Sequence, residues 1–291
     1  MKYKIQNENF LIEVNGIGAE LCSFKNKHTD LEYIWQGDSQ YWGSTAPVLF
    51  PIIGALKNGV YTHKGKEYSV PKHGFIRHNE ELEVRQISET EIRFSLASTN
   101  VLKKSYPFDF KFFVSFLLED NKLIVSHEIE NTGETEMLFS LGGHPAFNCP
   151  LLPDEQYEDY FIEFDQEQTL ETTVLSENGL LTDEQFEVIS GTNKVQLTDT
   201  LFDNDALIFR DISSKTAELK SQNHNHSVKV SYSDFKDLGI WAKPKAPFVC
   251  IEPWLGVTDH ENATGDLKDK DGIISLPAGD KYEASFTIEI N

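Results

Sequence analysis

Short runs in which hydrophobic and polar residues alternate recur along most of the chain. They are rich in phenylalanine, tyrosine, valine and isoleucine, which favour the pleated, half-buried surface of a β-sheet. Turn residues separate them, and Asp120-Asn121 predicts a tight hairpin between two of the runs. The pattern predicts strands over residues 3–6, 10–14, 19–26, 31–35, 66–70, 82–87, 91–97, 110–118, 122–129, 160–164, 206–209, 227–232, 238–243 and 282–290.

Helical periodicity is almost absent from the chain. Residues 154–160 predict one or two helical turns, and the polar stretch 257–272 predicts a surface loop. Many short strands with few short helices predict an all-β fold, a large antiparallel sandwich or a closed barrel-like assembly. Because no linker-like composition divides the chain, we expect one domain over residues 1–291.

Charge and composition narrow the classes of partner. The formal charge is −21, with 47 acidic and 26 basic residues, so nucleic acid and anionic membranes are not expected partners. The N-terminal residues have no apolar stretch typical of a signal peptide, and no apolar run is long enough for a membrane span, so we expect a cytoplasmic protein. Its three cysteines are widely spaced, which favours buried free thiols over a disulfide framework or a zinc knuckle.

Three segments interrupt the strand pattern with rigid or reactive residues. One spans residues 46–77 and contains His73, the second is SLGGHPAFNCP around His144, and the third is APFVCIEPW with Glu252. Glycine and proline beside each of these side chains fix the backbone in the way that a binding site requires. Each segment also has an aromatic ring suited to the apolar face of a pyranose, namely Phe75, Phe147 and Trp254.

Each of these residues also allows a purely structural interpretation. Glu252 follows a buried apolar strand, where a carboxylate is either paired in a salt bridge or functional. His73 and His144, taken singly, fit structural histidines, and only the combination of the three favours catalysis. His224 and His226 have metal-ligand spacing, but they lie in a polar hairpin turn without a third ligand, so no metal is expected there.

These segments resemble the aldose 1-epimerase family and its galactose mutarotase-like β-sandwich, in particular the branch associated with bacterial lactose operons. The resemblance spans nearly the whole chain, through GIGAELCSFKNK, LEYIWQGD, PVLFPIIG, HGFIR, GGHPAFNCP, LFDNDALIF and IEPW. It implies an enzyme that interconverts the α and β anomers of an aldohexose or hexose phosphate, with no cofactor. Ring opening needs one general base and one general acid, and neither a redox carrier nor a metal.

The resemblance also implies roles for individual residues. Glu252 is the implied base and His144 the implied acid, while His73 supports the ring-oxygen side and helps to hold the sugar. Asp205 is the implied ligand of the sugar hydroxyls, with Asp203 as an alternative. The aromatic rings expected to contact the sugar are Phe75 and Trp254.

The chain departs from the family pattern at one substrate-binding position. Many relatives have an arginine where Ala55 stands here, and the nearest cation is Lys57, whose charge is mobile and lacks the planar fork of arginine. In the related hexose-6-phosphate epimerases an arginine after the HGF-like motif contributes to phosphate binding. Arg77 together with Lys57 is therefore expected to bind a sugar phosphate, unless Arg77 pairs with Glu80 or Glu81.

Two rival functions stay open at this level. A glycoside hydrolase would pair Glu252 with a second acid such as Asp205. A non-catalytic sugar-binding or sensing protein would keep the fold without turnover, which the alanine at position 55 makes worth testing. The identity of the sugar and its phosphorylation are not specified by the sequence, nor is the oligomeric state, for which a homodimer through edge strands is one arrangement.

Overall fold

A computed structural model describes residues 1–291, and nearly all of its regular structure is β-strand. The strands are β1 (Lys2–Gln6), β2 (Phe10–Asn15), β3 (Glu20–Asn26), β4 (Val48–Leu49), β5 (Tyr61–His63), β6 (Lys66–Tyr68), β7 (Glu83–Gln86), β8 (Glu91–Ala97), β9 (Phe110–Glu119), β10 (Lys122–Asn131), β11 (Met137–Phe139), β12 (Leu141–Gly143), β13 (Ala146–Asn148), β14 (Tyr160–Leu175), β15 (Leu181–Gln196), β16 (Leu207–Phe209), β17 (Thr216–Ser221), β18 (Ser227–Ser231), β19 (Asp237–Trp241), β20 (Phe248–Leu255), β21 (Ile274–Leu276) and β22 (Lys281–Ile290). Short 3-10 helices cover Lys57–Gly59, Ile76–His78, Leu102–Lys104, Tyr157–Asp159 and Leu267–Asp269.

Two large antiparallel sheets dominate the architecture. One has nine strands in the order β15-β14-β17-β18-β22-β10-β9-β8-β7. The other has the order β16-β19-β20-β12-β4, with β13 also pairing with β20. Three smaller sheets contain β1-β2-β3, β5-β6 and β11-β21. This confirms the predicted all-β antiparallel sandwich with few short helices.

Alternating burial along the central strands explains why the sheets pack face to face. In β9 and β10 every second residue is buried, and the two strands form the predicted hairpin, with Lys122 opposite Glu119. Asp120 in the turn has φ 50°, a left-handed conformation that aspartate tolerates. Inward-facing rings such as Phe112 pack against Phe50 from the region after β4, with ring centroids 4.9 Å apart.

The core contains 72 buried apolar residues, from Ile5 to Ile290, in one contiguous cluster. All eight residues of strand β20 are buried, so both of its faces are covered by protein. A polar side chain on this strand is therefore held in the interior. The single-domain organisation stays a prediction.

The structure corrects several predicted elements. Residues 31–35 form only isolated bridges, through Glu32 and Ile34, because they run beside other strands without a continuous ladder. The predicted strand at 160–164 continues to Leu175 and pairs with β15, which has few buried residues and therefore no readable alternation. Residues 154–160 contain only the 3-10 helix Tyr157–Asp159.

The stretch 257–272 is irregular as predicted, but it is not confined to the surface. Asp259 and Lys270 are 5% and 7% exposed, and their buried ion pair has an Nζ–Oδ1 distance of 2.7 Å. Thr258, which is also buried, packs against Gly54. No helix is long and apolar enough to cross a membrane.

Candidate active site

A cleft of about 280 Å³ opens where β20, the turn after β12 and the segment before the Ile76–His78 helix meet. Six of the eight site residues predicted from the sequence line it, and they come from segments far apart in the chain: His73, Arg77, His144, Asp205, Glu252 and Trp254. The two that do not line the cleft are Lys57 and Phe75. The cleft therefore brings together all three residues with implied catalytic roles.

Glu252 forms the floor of the cleft from the middle of β20. Its side chain is 1% exposed, and its Oε2 atom has no hydrogen-bond partner within the protein. Burial raises the pKa of the Glu252 carboxyl well above its ordinary value, and the positive charge of Lys72 opposes that rise only in part. A carboxyl with a raised pKa is a stronger base once it is ionised.

His144 stands next to Glu252, in the turn between β12 and β13. Its backbone N–H donates to the carbonyl of Pro47 at 3.0 Å, which ties the turn to β4. Its Nε2 lies 3.2 Å from Glu252 Oε2, and its ring stacks on Trp42 with centroids 4.8 Å apart. Burial, helped by the positive charge of Arg77, lowers the pKa of the His144 imidazole. Because the imidazole and the Glu252 carboxyl are in contact, they titrate as a coupled pair.

His73 is held in a strained conformation by two reciprocal hydrogen bonds. Its φ of 66° is unusual for a residue with a side chain. The backbone N–H of Gly54 donates to His73 Nδ1 at 3.2 Å, and the N–H of His73 donates to the carbonyl of Gly54 at 2.9 Å. Burial lowers the pKa of His73 well below its ordinary value, so the ring is neutral with its proton on Nε2. A neutral donor is thereby fixed beside His144, with ring centroids 5.6 Å apart.

Arg77 and Asp205 both line the cleft. Arg77 Nη2 donates to Ser44 Oγ at 3.2 Å, its buried Nε has no partner, and the acidic charges that act on it are those of Glu20 and Glu252, not Glu80 or Glu81. Asp205 is exposed and adopts φ 73° just before β16, where its Oδ1 accepts from the N–H of Ala206 at 2.8 Å. Both side chains keep polar atoms free for a ligand.

Trp254 fits into the sheet because two neighbouring residues lack side chains. A Cβ on Gly142 would lie 2.8 Å from the Trp254 ring, and one on Gly239 would lie 2.7 Å from it. Gly143 permits a similar close approach of Phe286, whose ring would lie 2.7 Å from a Cβ at this position. The indole Nε1–H is buried without a partner, so the ring presents both an apolar face and a free donor.

The structure places three of the other predicted residues outside the cleft. Lys57 belongs to a neighbouring turn, where its Nζ donates to the carbonyl of Ala263 at 3.2 Å. Phe75 faces the core and packs edge-on against Phe50, and Phe147 is fully buried. The motifs correctly locate the segments, but the strand and turn geometry directs these side chains away from the cavity. Asp203 does not line the cleft, whereas Asp205 does.

Nine of the fifteen residues that line the cleft were not predicted as site residues, and three of these nine have aromatic or cationic side chains. Trp42 stacks on His144, Trp241 lies edge-on to it with a centroid distance of 5.9 Å, and Lys72 precedes His73. Three of the four tryptophans of the chain thus line one cleft. Because tryptophan is rare in this chain, its positions could have been considered as candidate site residues. The sequence around residues 42 and 241, however, does not indicate that they lie close to the three motifs.

Unpaired polar atoms are concentrated in this cleft. Ten buried side-chain nitrogen or oxygen atoms have no hydrogen-bond partner within the protein, and four of them belong to residues that line it. They are Arg77 Nε, His144 Nδ1, Glu252 Oε2 and Trp254 Nε1. Because folded proteins satisfy nearly all buried polar groups, such a cluster is typical of a site that is completed by a polar ligand.

His224 and His226, whose spacing had suggested a metal, have another role. They lie in the turn that joins β17 and β18, and His224 Nε2 is 2.8 Å from Glu155 and 3.0 Å from the Tyr160 hydroxyl. His144, Cys250 and Glu252 form the one group of histidine, cysteine and acidic ligand atoms close enough to share a metal.

Comparison with known proteins agrees with the geometry. A family model described as aldose 1-epimerase matches residues 1–288. The chain is 30% identical over 300 residues to protein LacX of Lactococcus lactis subsp. lactis, in plasmid and chromosomal forms, covering 100% of this chain and 99% of each.

Solved structures give the same result. A galactose mutarotase related enzyme from Lactobacillus acidophilus is 36% identical with a TM-score of 0.94, and the match covers 100% of this chain and 97% of that one. A galactose mutarotase-like protein from Lactobacillus casei is 30% identical, also with a TM-score of 0.94, and covers 100% of both chains. These matches confirm the family resemblance and the fold predicted from the sequence.

Proposed function

Since this chain belongs to the aldose 1-epimerase family and is an isomerase, we propose that its cleft interconverts the α and β anomers of an aldose by general acid–base catalysis. Glu252 removes the proton of the C1 hydroxyl, and His144 delivers a proton to the ring oxygen, which opens the ring. Rotation about the C1–C2 bond and closure on the other face complete the exchange. The same two groups then act in reverse roles.

The observation that carries this proposal is the contact between Glu252 Oε2 and His144 Nε2, 3.2 Å apart in a buried site. A single proton shared by the pair can lie on the carboxyl, leaving both groups neutral, or on the imidazole, giving an ion pair. The ion pair contains an ionised base and a protonated acid at once. A sugar whose C1 hydroxyl and ring oxygen contact the two groups stabilises that form, because it supplies hydrogen bonds to both charges.

His73 and the tryptophans position the sugar for this step. A neutral His73 with its proton on Nε2 cannot act as the acid, but it can donate a hydrogen bond to the ring oxygen or an adjacent hydroxyl. Trp42, Trp241 and Trp254 provide flat apolar walls for the C–H faces of a pyranose. Asp205 accepts hydrogen bonds from sugar hydroxyls at the rim of the cleft.

Phosphorylated aldoses are the second candidate substrate, and the cations of the cleft favour them. Arg77 and Lys72 both line it, and neither has a carboxylate oxygen within 4.0 Å, although the chain contains 47 acidic residues. Unneutralised cations beside a sugar site suit a substrate that carries a phosphate. This pair replaces the Arg77–Lys57 pair expected from the sequence.

Anomer exchange measured by one-dimensional saturation-transfer NMR tests the proposal directly. The substrates are galactose, glucose and their 6-phosphates, with the wild-type protein and its Glu252→Gln variant. We expect the wild type alone to accelerate exchange of at least one of them. Binding of all four without acceleration would support the non-catalytic rival, and release of product from a chromogenic glycoside would support the hydrolase.

Cytoplasmic location and a homodimer stay predictions from the sequence. A small-molecule sugar is the partner that the family and the lining of the cleft support.

A further inference from the structure

Beneath the proposed base and acid lies a third side chain with ligand character. Cys250 and Glu252 are two residues apart on β20, so their side chains point to the same face of the strand. His144 reaches this face from the turn after β12. One potential ligand atom from each of the three residues lies within 4.8 Å of the other two, and all three residues are buried.

The spacing of the nitrogen and oxygen atoms of this group fits two ligands of a small tetrahedral ion. Bonds of about 2.0–2.1 Å from zinc to a nitrogen and an oxygen place those two atoms about 3.3 Å apart at the tetrahedral angle. The observed distance between His144 Nε2 and Glu252 Oε2 is 3.2 Å, and that carboxyl oxygen has no hydrogen bond to give up. The polar atoms are therefore already separated as two ligands of one ion would be.

We propose that His144, Cys250 and Glu252 form a three-ligand site for a thiophilic divalent cation, with Zn²⁺ as the best chemical match. Nitrogen, thiolate and carboxylate oxygen are all ligands that Zn²⁺ accepts, whereas Mg²⁺ and Ca²⁺ require mostly oxygen. Two protons leave to solvent when the ion binds, one from the Cys250 thiol and one from the Glu252–His144 pair, because each ligand atom must be deprotonated to coordinate it. Thiolate and carboxylate together neutralise the two charges of the ion, which offsets the repulsion from Arg77 and Lys72.

Occupation of this site opposes the proposed reaction. The ion coordinates the carboxylate that removes the C1 proton and the imidazole nitrogen that protonates the ring oxygen, so neither group is free to transfer a proton. Zn²⁺ is thus expected to act as a reversible inhibitor. The binding site stands on geometry alone, and only the inhibition rests on the proposed function.

Metal binding is tested with Co²⁺ as a spectroscopic probe and with Zn²⁺ competition. We expect the wild type to bind one Co²⁺ with the intense visible bands of tetrahedral coordination and a thiolate charge-transfer band, and Zn²⁺ to displace it. Cys250→Ser should lose the charge-transfer band and weaken binding by about 100-fold, since loss of a ligand exceeds the 10–100-fold effect of an outer-shell partner. Glu252→Gln should weaken binding while keeping the charge-transfer band.

Cys149→Ser is the matched control, because Cys149 is equally buried but does not belong to the cluster. It should bind Co²⁺ with the wild-type spectrum and affinity. Unchanged affinity and spectrum in Cys250→Ser would overturn the site, as would an equal loss in Cys149→Ser. The Glu252→Gln spectrum keeps the test decisive if Cys250→Ser does not fold, because an unaltered affinity in that variant would also exclude the site.

Inhibition is measured separately as anomer exchange with and without Zn²⁺, followed by a chelator. Reversible loss of exchange in the wild type, with resistance in Cys250→Ser, is the expected result. Binding without inhibition would leave the metal site intact and contradict the roles assigned to Glu252 and His144. Absence of Co²⁺ binding with normal exchange would overturn the metal site and leave the proposed function standing.

Discussion

The molecule contains two glutamate–histidine pairs with opposite electrostatics, and the one in the cleft is the more deeply buried, with side chains 8% and 1% exposed against 13% and 7% for the other. In the cleft, Glu252 Oε2 is 3.2 Å from His144 Nε2 and makes no hydrogen bond. At the far end of β14, Glu155 Oε2 is 2.8 Å from His224 Nε2, and the Glu155 carboxylate also accepts from Ser221, Asn223 and the Tyr160 hydroxyl. The two sites thus have the same pair of residue types but differ in how far their hydrogen bonding is satisfied.

The pKa values follow this difference. Burial tends to raise the pKa of both carboxyls, but the hydrogen bonds around Glu155 outweigh it and leave the pKa of Glu155 below its ordinary value. At Glu252 burial outweighs the opposing effects of Lys72, the Trp254 indole and Arg77, and the pKa of its carboxyl is raised well above the ordinary value. A pair whose polar atoms all have hydrogen-bond partners stabilises the fold. A pair with unpartnered polar atoms can instead hydrogen-bond to a ligand and exchange protons with it. The number of hydrogen bonds and the depth of burial, not the identity of the residues, separate the structural pair from the proposed catalytic pair.

The sharpest test exchanges the carboxylate for an amide at each site. Glu252→Gln should lower the anomer exchange rate by about 10³-fold or more, because it removes the general base and keeps the shape. Glu155→Gln should leave the exchange rate near that of the wild type and reduce the free energy of unfolding by about 2 kcal/mol, since the charge-assisted hydrogen bonds are lost. NMR exchange and urea unfolding measure the two effects.

The reverse pattern would remove the distinction between the two pairs. If Glu155→Gln slowed exchange while Glu252→Gln lost only stability, the cleft would not be the catalytic centre.

Replacing the histidines gives the next largest difference. His144→Asn should slow exchange by about 10²-fold, because the asparagine cannot transfer a proton to the ring oxygen. His224→Asn is the matched control and should not change the rate, since His224 contacts Glu155 and Tyr160 outside the cleft. Single-turnover NMR on the substrate that the wild type accelerates would measure both. A wild-type rate in His144→Asn would assign the acid to another group.

Much of this contrast could not be predicted from the sequence. The segments containing His73, His144 and Glu252 were recognised because glycine and proline mark fixed backbone beside them. Nothing in the sequence joins Glu155 to His224 across β17 and β18, or shows that Glu252 lacks hydrogen bonds, because both depend on which side chains meet in the folded chain. For the same reason the sequence does not reveal that Lys57 and Phe75 lie outside the lining of the cleft.

The strands of the fold could be predicted from the sequence more completely than the contacts of the candidate site. Strands such as β8 and β10, with one buried face, alternate clearly and were predicted to within about two residues. Strand β15 was missed because most of its side chains are exposed at the end of the nine-stranded sheet, so its pairing with β14 leaves no hydrophobic pattern. Residues 31–35 look like a strand because they are buried, although they form only isolated bridges.

A smaller effect is expected when cationic side chains inside and outside the cleft are replaced and the KM for a phosphorylated sugar is compared. Arg77→Ala should raise the KM for a hexose 6-phosphate by about 10- to 100-fold, the size of one charge-assisted hydrogen bond, and affect the free hexose much less. Lys57→Ala is the control, because Lys57 lies outside the cleft, and neither KM should change. Equal effects of Arg77→Ala on both sugars would argue against a phosphate role and favour a general contact with the pyranose.

The smallest expected effect is a difference in how the two pairs respond to pH. The folded pKa of Glu252 is raised, so its stabilising contribution is present below its unfolded pKa of about 4.3 and is lost as the pH rises through the folded pKa. Glu252→Gln removes that loss, so the free energy of unfolding of the variant should exceed that of the wild type at alkaline pH, and the difference should shrink as the pH falls towards 4.

Glu155 should behave in the opposite sense. Its folded pKa is lowered, so its contribution is present above the unfolded pKa and disappears as the pH falls through the folded value. Glu155→Gln should therefore be less stable than the wild type at neutral pH, and the difference should shrink towards acid. Urea unfolding of the three proteins across this pH range measures both slopes. If the difference in free energy of unfolding from the wild type changed with pH in the same way for both variants, the two carboxyls would have equivalent hydrogen bonding. The number of hydrogen bonds would then no longer separate a structural pair from a catalytic one.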